Sequence, residues 1–211
     1  MRKAIFGIVM CLPALAAADE TVIAALGDSL TQGYGLPQEQ GLVPQLNNWL
    51  TGQGADVRII NAGVSGDTTA GGAARVGWTL TPDVDAMIVA LGANDVLRGI
   101  DPAITRANLT TILQVAADAE VSVLLVGINA PANYGPEYKT SFDAIYADLA
   151  AEFGALHAGS IFDGLGHGQD LNAARALMQP DGIHPNAEGV ALIAAELGPD
   201  VLELITEVSK K

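Results

Sequence analysis

The stretch "VIAALGDSLTQGYG", residues 22–35, decides the fold. An apolar run from Val22 to Leu26 stops at Gly27, and a polar turn carrying Asp28 and Ser29 follows. A short unbroken apolar run closed by glycine reads as a strand buried on both faces, the habit of a parallel sheet. Extended to "TVIAAL" (21–26), it is the first of five such runs. The others are "VRIINAG" (57–63), "DAMIVAL" (85–91), "VSVLLVGI" (121–128) and a weaker one near "ALHAGSIF" (155–162).

Helical patterns separate these runs. Leu42, Leu46, Trp49 and Leu50 fall on one helical face, with Gly52 or Gly54 to end the helix. Asp101 and Pro102 form an N-cap and first-turn pair that opens a helix towards Ala119. Tyr138, Phe142, Ile145, Tyr146, Leu149 and Phe153 make an apolar stripe before Gly154 and are read as core. A last helix is expected after Pro185-Asn186, broken or kinked at Gly198-Pro199. Alternating strand and helix predicts an α/β fold: a three-layer α/β/α sandwich around a central, mainly five-stranded parallel sheet with right-handed crossovers. The chain of 211 residues shows no repeat, linker or low-complexity segment, so one domain is expected over residues 19–211.

Residues 1–18 read differently. Arg2 and Lys3 precede the apolar run "AIFGIVMCLPALAA", and Ala16-Ala17-Ala18 then meet Asp19-Glu20. A positive end, a short apolar stretch and small residues at a cut describe a cleavable signal peptide, which predicts a periplasmic or secreted protein. The rival is an uncleaved N-terminal anchor, although the run is shorter than the roughly 20 residues a spanning helix needs. No stable span is therefore expected after cleavage. Met10 is too large to precede a lipidated cysteine at Cys11. Cleavage after Ala18 removes the only cysteine, so neither a disulfide nor thiol chemistry is expected.

A formal charge of −14 argues against nucleic acid as a partner, since phosphate binding needs a cationic face. The same charge disfavours coenzyme A esters and anionic lipids at long range and favours neutral esters.

Ligands of a parallel sheet gather beyond the carboxyl ends of its strands. The loops in those places hold Gly27-Asp28-Ser29, the stretch from Gly63 to Asp67, Gly92-Ala93-Asn94-Asp95, and the stretch from Pro131 to Gly135. A serine hydroxyl becomes a nucleophile only beside a base, usually a histidine steadied by a carboxylate. Of the three histidines, His157, His167 and His184, only His184 has an acid at tight spacing, Asp181 across Gly182 and Ile183. Pro185 biases His184 towards an extended backbone, so one ring nitrogen can meet Asp181 while the other faces a substrate. Attack on a carbonyl also needs donors for the oxyanion. The backbone N–H groups of Ser29 and Gly66 and the side-chain amide of Asn94 are the three on offer, one from each of the first three loops. His157 and His167 have no partner at a convincing ligand spacing, so no metal is expected. Asp28 and Asp95 are read as turn-organising residues.

"GDSL" at 27–30, Gly66 in "NAGVSGDT", "GAND" at 92–95 and "DGIHP" at 181–185 resemble, in order, the four sequence blocks of the SGNH (GDSL-type) hydrolases. The resemblance implies a flavodoxin-like SGNH fold, with Ser29 as nucleophile, His184 as general base, Asp181 as its partner and Ser29, Gly66 and Asn94 as the oxyanion hole. "LRG" at 97–99 and "PANYGPEYKTSFDAIYADLAAEF" at 131–153 look like the bacterial periplasmic thioesterase, lysophospholipase and arylesterase branch of that family. That likeness implies hydrolysis of small-molecule esters or thioesters without a cofactor, usually by a monomer. It also places Asn133, Tyr134 and Ile183 as substrate-binding residues. A carbohydrate O-deacetylase and a non-catalytic binding module are the alternative functions on the same fold; sugar platforms would need more aromatic residues than the 5% present.

Overall fold

The computed structural model describes residues 20–166 and 175–210. The expected signal peptide at 1–18 and His167 lie outside the described residues.

Five strands form one parallel sheet: β1 (Thr21–Gly27), β2 (Val57–Gly63), β3 (Ala86–Ala90), β4 (Ser122–Gly127) and β5 (Leu156–Ser160), in the order β2-β1-β3-β4-β5. Every residue of β1 and β3 is buried, as their unbroken apolar runs demand. The edge strands β2 and β5 alternate buried and exposed positions instead. One face of the sheet carries α2 (Leu42–Gly52) and α7 (Ala187–Val208) packed on each other; the other carries α3 (Thr69–Thr79), α5 (Pro102–Asp118) and α6 (Pro136–Phe153). The predicted three-layer α/β/α sandwich is the observed one.

Local signals explain most helix boundaries. The Asp101 side chain accepts a hydrogen bond from the Ala103 N–H, with Pro102 in the first turn of α5. Asn186 caps α7 by accepting from the Gly189 N–H. Of the six stripe residues on α6, Phe142, Ile145, Tyr146 and Leu149 are buried and Tyr138 and Phe153 are half-buried against the same core. Burial of each apolar Phe, Ile or Leu is worth about 1.5–3 kcal/mol against exposure.

Three features depart from the sequence expectation. Pro199 lies inside α7, which runs through it. Gly198 sits so close to Trp49 of α2 that a Cβ would enter the indole, and Leu197, Val201 and Leu204 are buried on either side. Burial on both flanks of the proline offsets the roughly 3 kcal/mol that an interior proline costs. Helix α3, "TAGGAARVGWT", carries three glycines that hide its helical pattern. One of them, Gly72, is needed because Leu91 occupies the space of a side chain there. The third departure is a pair of very short helices, α1 (Ser29–Gln32) and α4 (Ala93–Leu97), which follow β1 and β3.

The strand order reverses between β1 and β3, which send their loops to opposite sides and leave a crevice at their carboxyl ends. Helices α1 and α4 begin at that crevice. The loop after β2 flanks it.

Candidate active site

Ser29 is the first residue of α1, and the Asp28 side chain caps this helix by accepting from the Leu30 N–H at 3.1 Å. The helix is seated tightly: a Cβ at Gly63, at the end of β2, would run into the backbone of Thr31 and Gln32. That close approach holds Ser29 over the β1–β3 crevice.

Across the crevice lies the loop before α7. The Oδ1 atom of Asp181 accepts from the N–H groups of Ile183 (2.9 Å) and His184 (3.0 Å), folding the Asp-x-x-His segment into a tight turn. Its Oδ2 atom lies 2.7 Å from Nδ1 of His184, and Nε2 of His184 lies 2.8 Å from Oγ of Ser29. The His184 and Ile183 N–H groups and the His184 ring hold the Asp181 carboxyl low, at about 2. Asp181 therefore stays anionic throughout the neutral and mildly acid range. It holds the imidazole with Nδ1 turned to the carboxylate and Nε2 facing the Ser29 hydroxyl.

The predicted oxyanion donors and Ile183 meet the same cavity. Its volume is about 280 Å³, and Ser29, Gly66, Asn94, Ile183 and His184 all line it. Residues Val64 to Asp67 form a turn closed by Asp67 N–H to Val64 C=O at 3.0 Å, with Gly66 at φ 80°. A turn with positive φ at its third position is type II, which favours glycine there. Among the described residues, the N–H groups of Ser29 and Gly66 have no acceptor within the protein. The Asn94 amide donates weakly to Oδ2 of Asp28 at 3.4 Å, which leaves its second N–H hydrogen unused.

Asp28 and Asp95 organise the site from below, as their turn-organising reading anticipates. Asp28 is 5% exposed, and burial pushes its carboxyl up to about 6 against the pull of the Leu30 N–H, His184 and the Asn94 amide. Asp95 is fully buried and accepts from the Thr69 N–H (2.9 Å), the Thr69 hydroxyl (2.5 Å) and the Thr105 hydroxyl (3.2 Å). It ties the helix that bears Asn94 to the start of α3, which follows the Gly66 turn.

A second, largely apolar cavity of about 400 Å³ shares Ala93, Leu97, Ile128, Phe162 and Ile183 with the first, so the two are one trough. Ile183 lines both. Asn133 and Tyr134 line neither; Pro131 is the part of their loop that reaches the trough. The Tyr134 ring lies against Gly99 and Tyr138 instead, and Tyr138 donates to the Ile100 carbonyl at 2.8 Å. His157 is exposed on the edge strand β5, away from the other site residues. Among the described residues no group of three His, Cys, Asp or Glu side chains could hold a metal. No described helix is long and apolar enough to cross a membrane.

Two contributors escaped the sequence reading. Arg75, in the glycine-rich α3, reaches back to the ends of β1 and β2. Tyr34 lays its ring on His184, with centroids 4.6 Å apart and planes tilted by 37°. Only the nearness of Tyr34 to Ser29 in sequence could have drawn attention to it.

The GDSL-like lipase/acylhydrolase family matches residues 25–192. Esterase TesA of Pseudomonas aeruginosa is 39% identical over 170 residues, 80% of this chain and 81% of that protein. Thioesterase 1/protease 1/lysophospholipase L1 of Escherichia coli is 35% identical over 196 residues, 92% of this chain and 88% of the other. The crystal structure of the psychrotrophic esterase EstA from Pseudoalteromonas sp., inhibited by monoethylphosphonate, superimposes with a TM-score of 0.79 at 30% identity, covering 88% of this chain and 99% of that one. With its sheet, its four motif-bearing loops and these likenesses together, the chain belongs to the GDSL-like lipase/acylhydrolase (SGNH hydrolase) family and is an ester hydrolase of the SGNH type.

Proposed function

We propose that Ser29, His184 and Asp181 are the catalytic residues and that the N–H groups of Ser29 and Gly66 and the amide of Asn94 form the oxyanion hole. The observation that carries this reading is the unbroken run of contacts from Asp181 Oδ2 through the imidazole to Ser29 Oγ, at 2.7 and 2.8 Å. As Oγ attacks the acyl carbonyl, its proton passes to His184 Nε2 and Asp181 stabilises the imidazolium. The negative charge that gathers on the carbonyl oxygen meets three preorganised donors. His184 returns the proton to the departing alcohol or thiol, and water activated by the same imidazole then releases the acid.

The apolar trough beyond Ser29 supports an acyl chain as the group retained by the enzyme, with Ile183 along its path. Aryl and alkyl esters are the favoured substrates. Acyl thioesters and lysophospholipids, printed in the name of the Escherichia coli relative, extend the same chemistry to other leaving groups. The run of Arg2-Lys3, short apolar stretch and Ala16-Ala17-Ala18 supports cleavage of residues 1–18 and export of a single hydrolase domain, residues 19–211. A fluorophosphonate probe, followed by peptide mass mapping, tests the catalytic assignment. The adduct is expected on Ser29 of the wild type and absent from Ser29→Ala, with p-nitrophenyl butyrate hydrolysis lost in parallel. Labelling of another residue, or none on folded protein, rejects it.

A further inference from the structure

We infer that Tyr34 is a specificity-determining residue on the leaving-group side, where its ring face favours esters of aromatic alcohols. The inference rests on the catalytic reading above and goes further by giving the two halves of the substrate separate places.

Two substituents flank the attacked carbonyl, and they depart from Ser29 in different directions. The long apolar cavity shares Ala93, Leu97, Ile128, Phe162 and Ile183 with the catalytic cavity, but Tyr34, Ser65 and Gly66 are absent from its lining. The trough thus runs away from the Tyr34 wall. An acyl chain in the trough sends the leaving group to the opposite side.

Proton transfer fixes that side independently. When the tetrahedral intermediate collapses, the bond from carbon to the leaving oxygen breaks and that oxygen takes the proton His184 received from Ser29. The leaving oxygen must therefore lie within reach of His184 Nε2. Tyr34 packs on that imidazole at 4.6 Å between centroids and is 48% exposed, so part of its ring is open where the leaving group emerges. Its position is well held: the Tyr34 N–H donates to the Ser29 carbonyl (3.0 Å), and the Tyr34 carbonyl accepts from Nε2 of Gln179 (2.8 Å). Gln179 also donates to the Pro185 carbonyl (3.0 Å), which joins the Tyr34 segment to the His184 loop. The hydroxyl of Tyr34 has no partner among the described residues, so the ring carries the interaction.

The experiment compares 1-naphthyl butyrate with ethyl butyrate, which share one acyl group, on the mature protein and on its Tyr34→Ala and Tyr34→Phe variants. The readout is the ratio of kcat/KM values, because kcat/KM reports acylation, the step that still contains the leaving group. An aromatic pair is worth enough to change that ratio roughly two- to tenfold. Tyr34→Ala should lower the naphthyl-to-ethyl ratio by that factor, Tyr34→Phe should restore it, and the ranking of acyl chain lengths should not move. An unchanged ratio in Tyr34→Ala, or an equal loss on both esters, overturns the inference: the ring would then act on His184 alone. That failure differs from failure of the catalytic reading, in which the wild type hydrolyses neither ester and Ser29 takes no fluorophosphonate.

Discussion

Nε of Arg75 lies 2.7 Å from Oδ2 of Asp67, the residue next to Gly66. The same guanidinium donates to the carbonyls of Ala62 (2.7 Å) and Gly27 (2.9 Å). One side chain thus joins the end of β1, two residues before Ser29, to the end of β2 and to the turn that presents the Gly66 N–H. The pair is largely shielded from water, where a charge-assisted hydrogen bond is stronger than on the surface.

Arg75→Met should therefore loosen one of the proposed oxyanion donors without removing a group that lines the catalytic cavity. The expected loss in kcat stays below the 10²–10³ that complete removal of such a donor costs, at about tenfold, with KM changing little. Arg75→Lys should rescue only in part, because one ammonium cannot reproduce three directed bonds from a planar fork. Steady-state kinetics alongside thermal melting decide the matter. A lower melting temperature with unchanged kcat would mean that Arg75 serves stability alone.

The proposed triad should show graded losses. Ser29→Ala and His184→Ala should each cost on the order of 10⁶ in turnover, and Asp181→Asn about 10⁴, since histidine keeps some basicity without its partner. Because the Asp181 carboxyl is held at about 2, its support of the fold is complete above the ordinary aspartate range. That support is lost only as the pH falls from about 4 towards 2. The stability that the Asp181 carboxylate adds over Asp181→Asn should consequently be constant from pH 8 down to about 4 and shrink below that. Urea unfolding of the two proteins at pH 7, 5 and 3 makes the comparison; a difference that already shrinks between pH 7 and 5 would mean that the Asp181 carboxyl is not held low.

Much of this site was legible before any coordinates because its parts are local. The Gly-Asp-Ser turn closes an apolar strand, Asp181 and His184 share one short loop, and the Asn94 segment directly follows β3. Residues that act at a distance left no such trace. Arg75 looks like any helical cation until the ends of β1 and β2 are seen beneath it, and Tyr34 reads as a turn tyrosine until α7 brings His184 under its ring. The break anticipated at Gly198-Pro199 had the same root. Local propensity was read correctly, but Trp49, about 150 residues away in sequence, supplies the contact that keeps the helix whole. The loop of Asn133 and Tyr134 also shows that a matching motif does not say where a side chain points.

Asp28 carries the clearest conflict between stability and function. Its carboxyl is 5% exposed and pushed up to about 6 from an ordinary 3.8, chiefly by burial. In this sense of shift the folded state holds the proton more tightly than the unfolded chain. Stability therefore declines as the pH rises from about 4 to about 6 and stays lower above that. Two pKa units correspond to about 3 kcal/mol at neutral pH, an upper bound for one group. Asp28→Asn keeps the shape and an oxygen for the Leu30 N–H but cannot ionise. Urea unfolding should show the variant more stable than wild type at pH 7.5, and the difference should vanish near pH 4. The same change should lower kcat roughly tenfold, because an anion accepts only, which keeps the NH₂ side of Asn94 turned to it and so to the proposed oxyanion site. A neutral amide at position 28 lets the Asn94 side chain flip. A difference in stability from wild type that is the same at pH 4 and pH 7.5, with full kcat, would mean that Asp28 neither strains the fold nor orients Asn94.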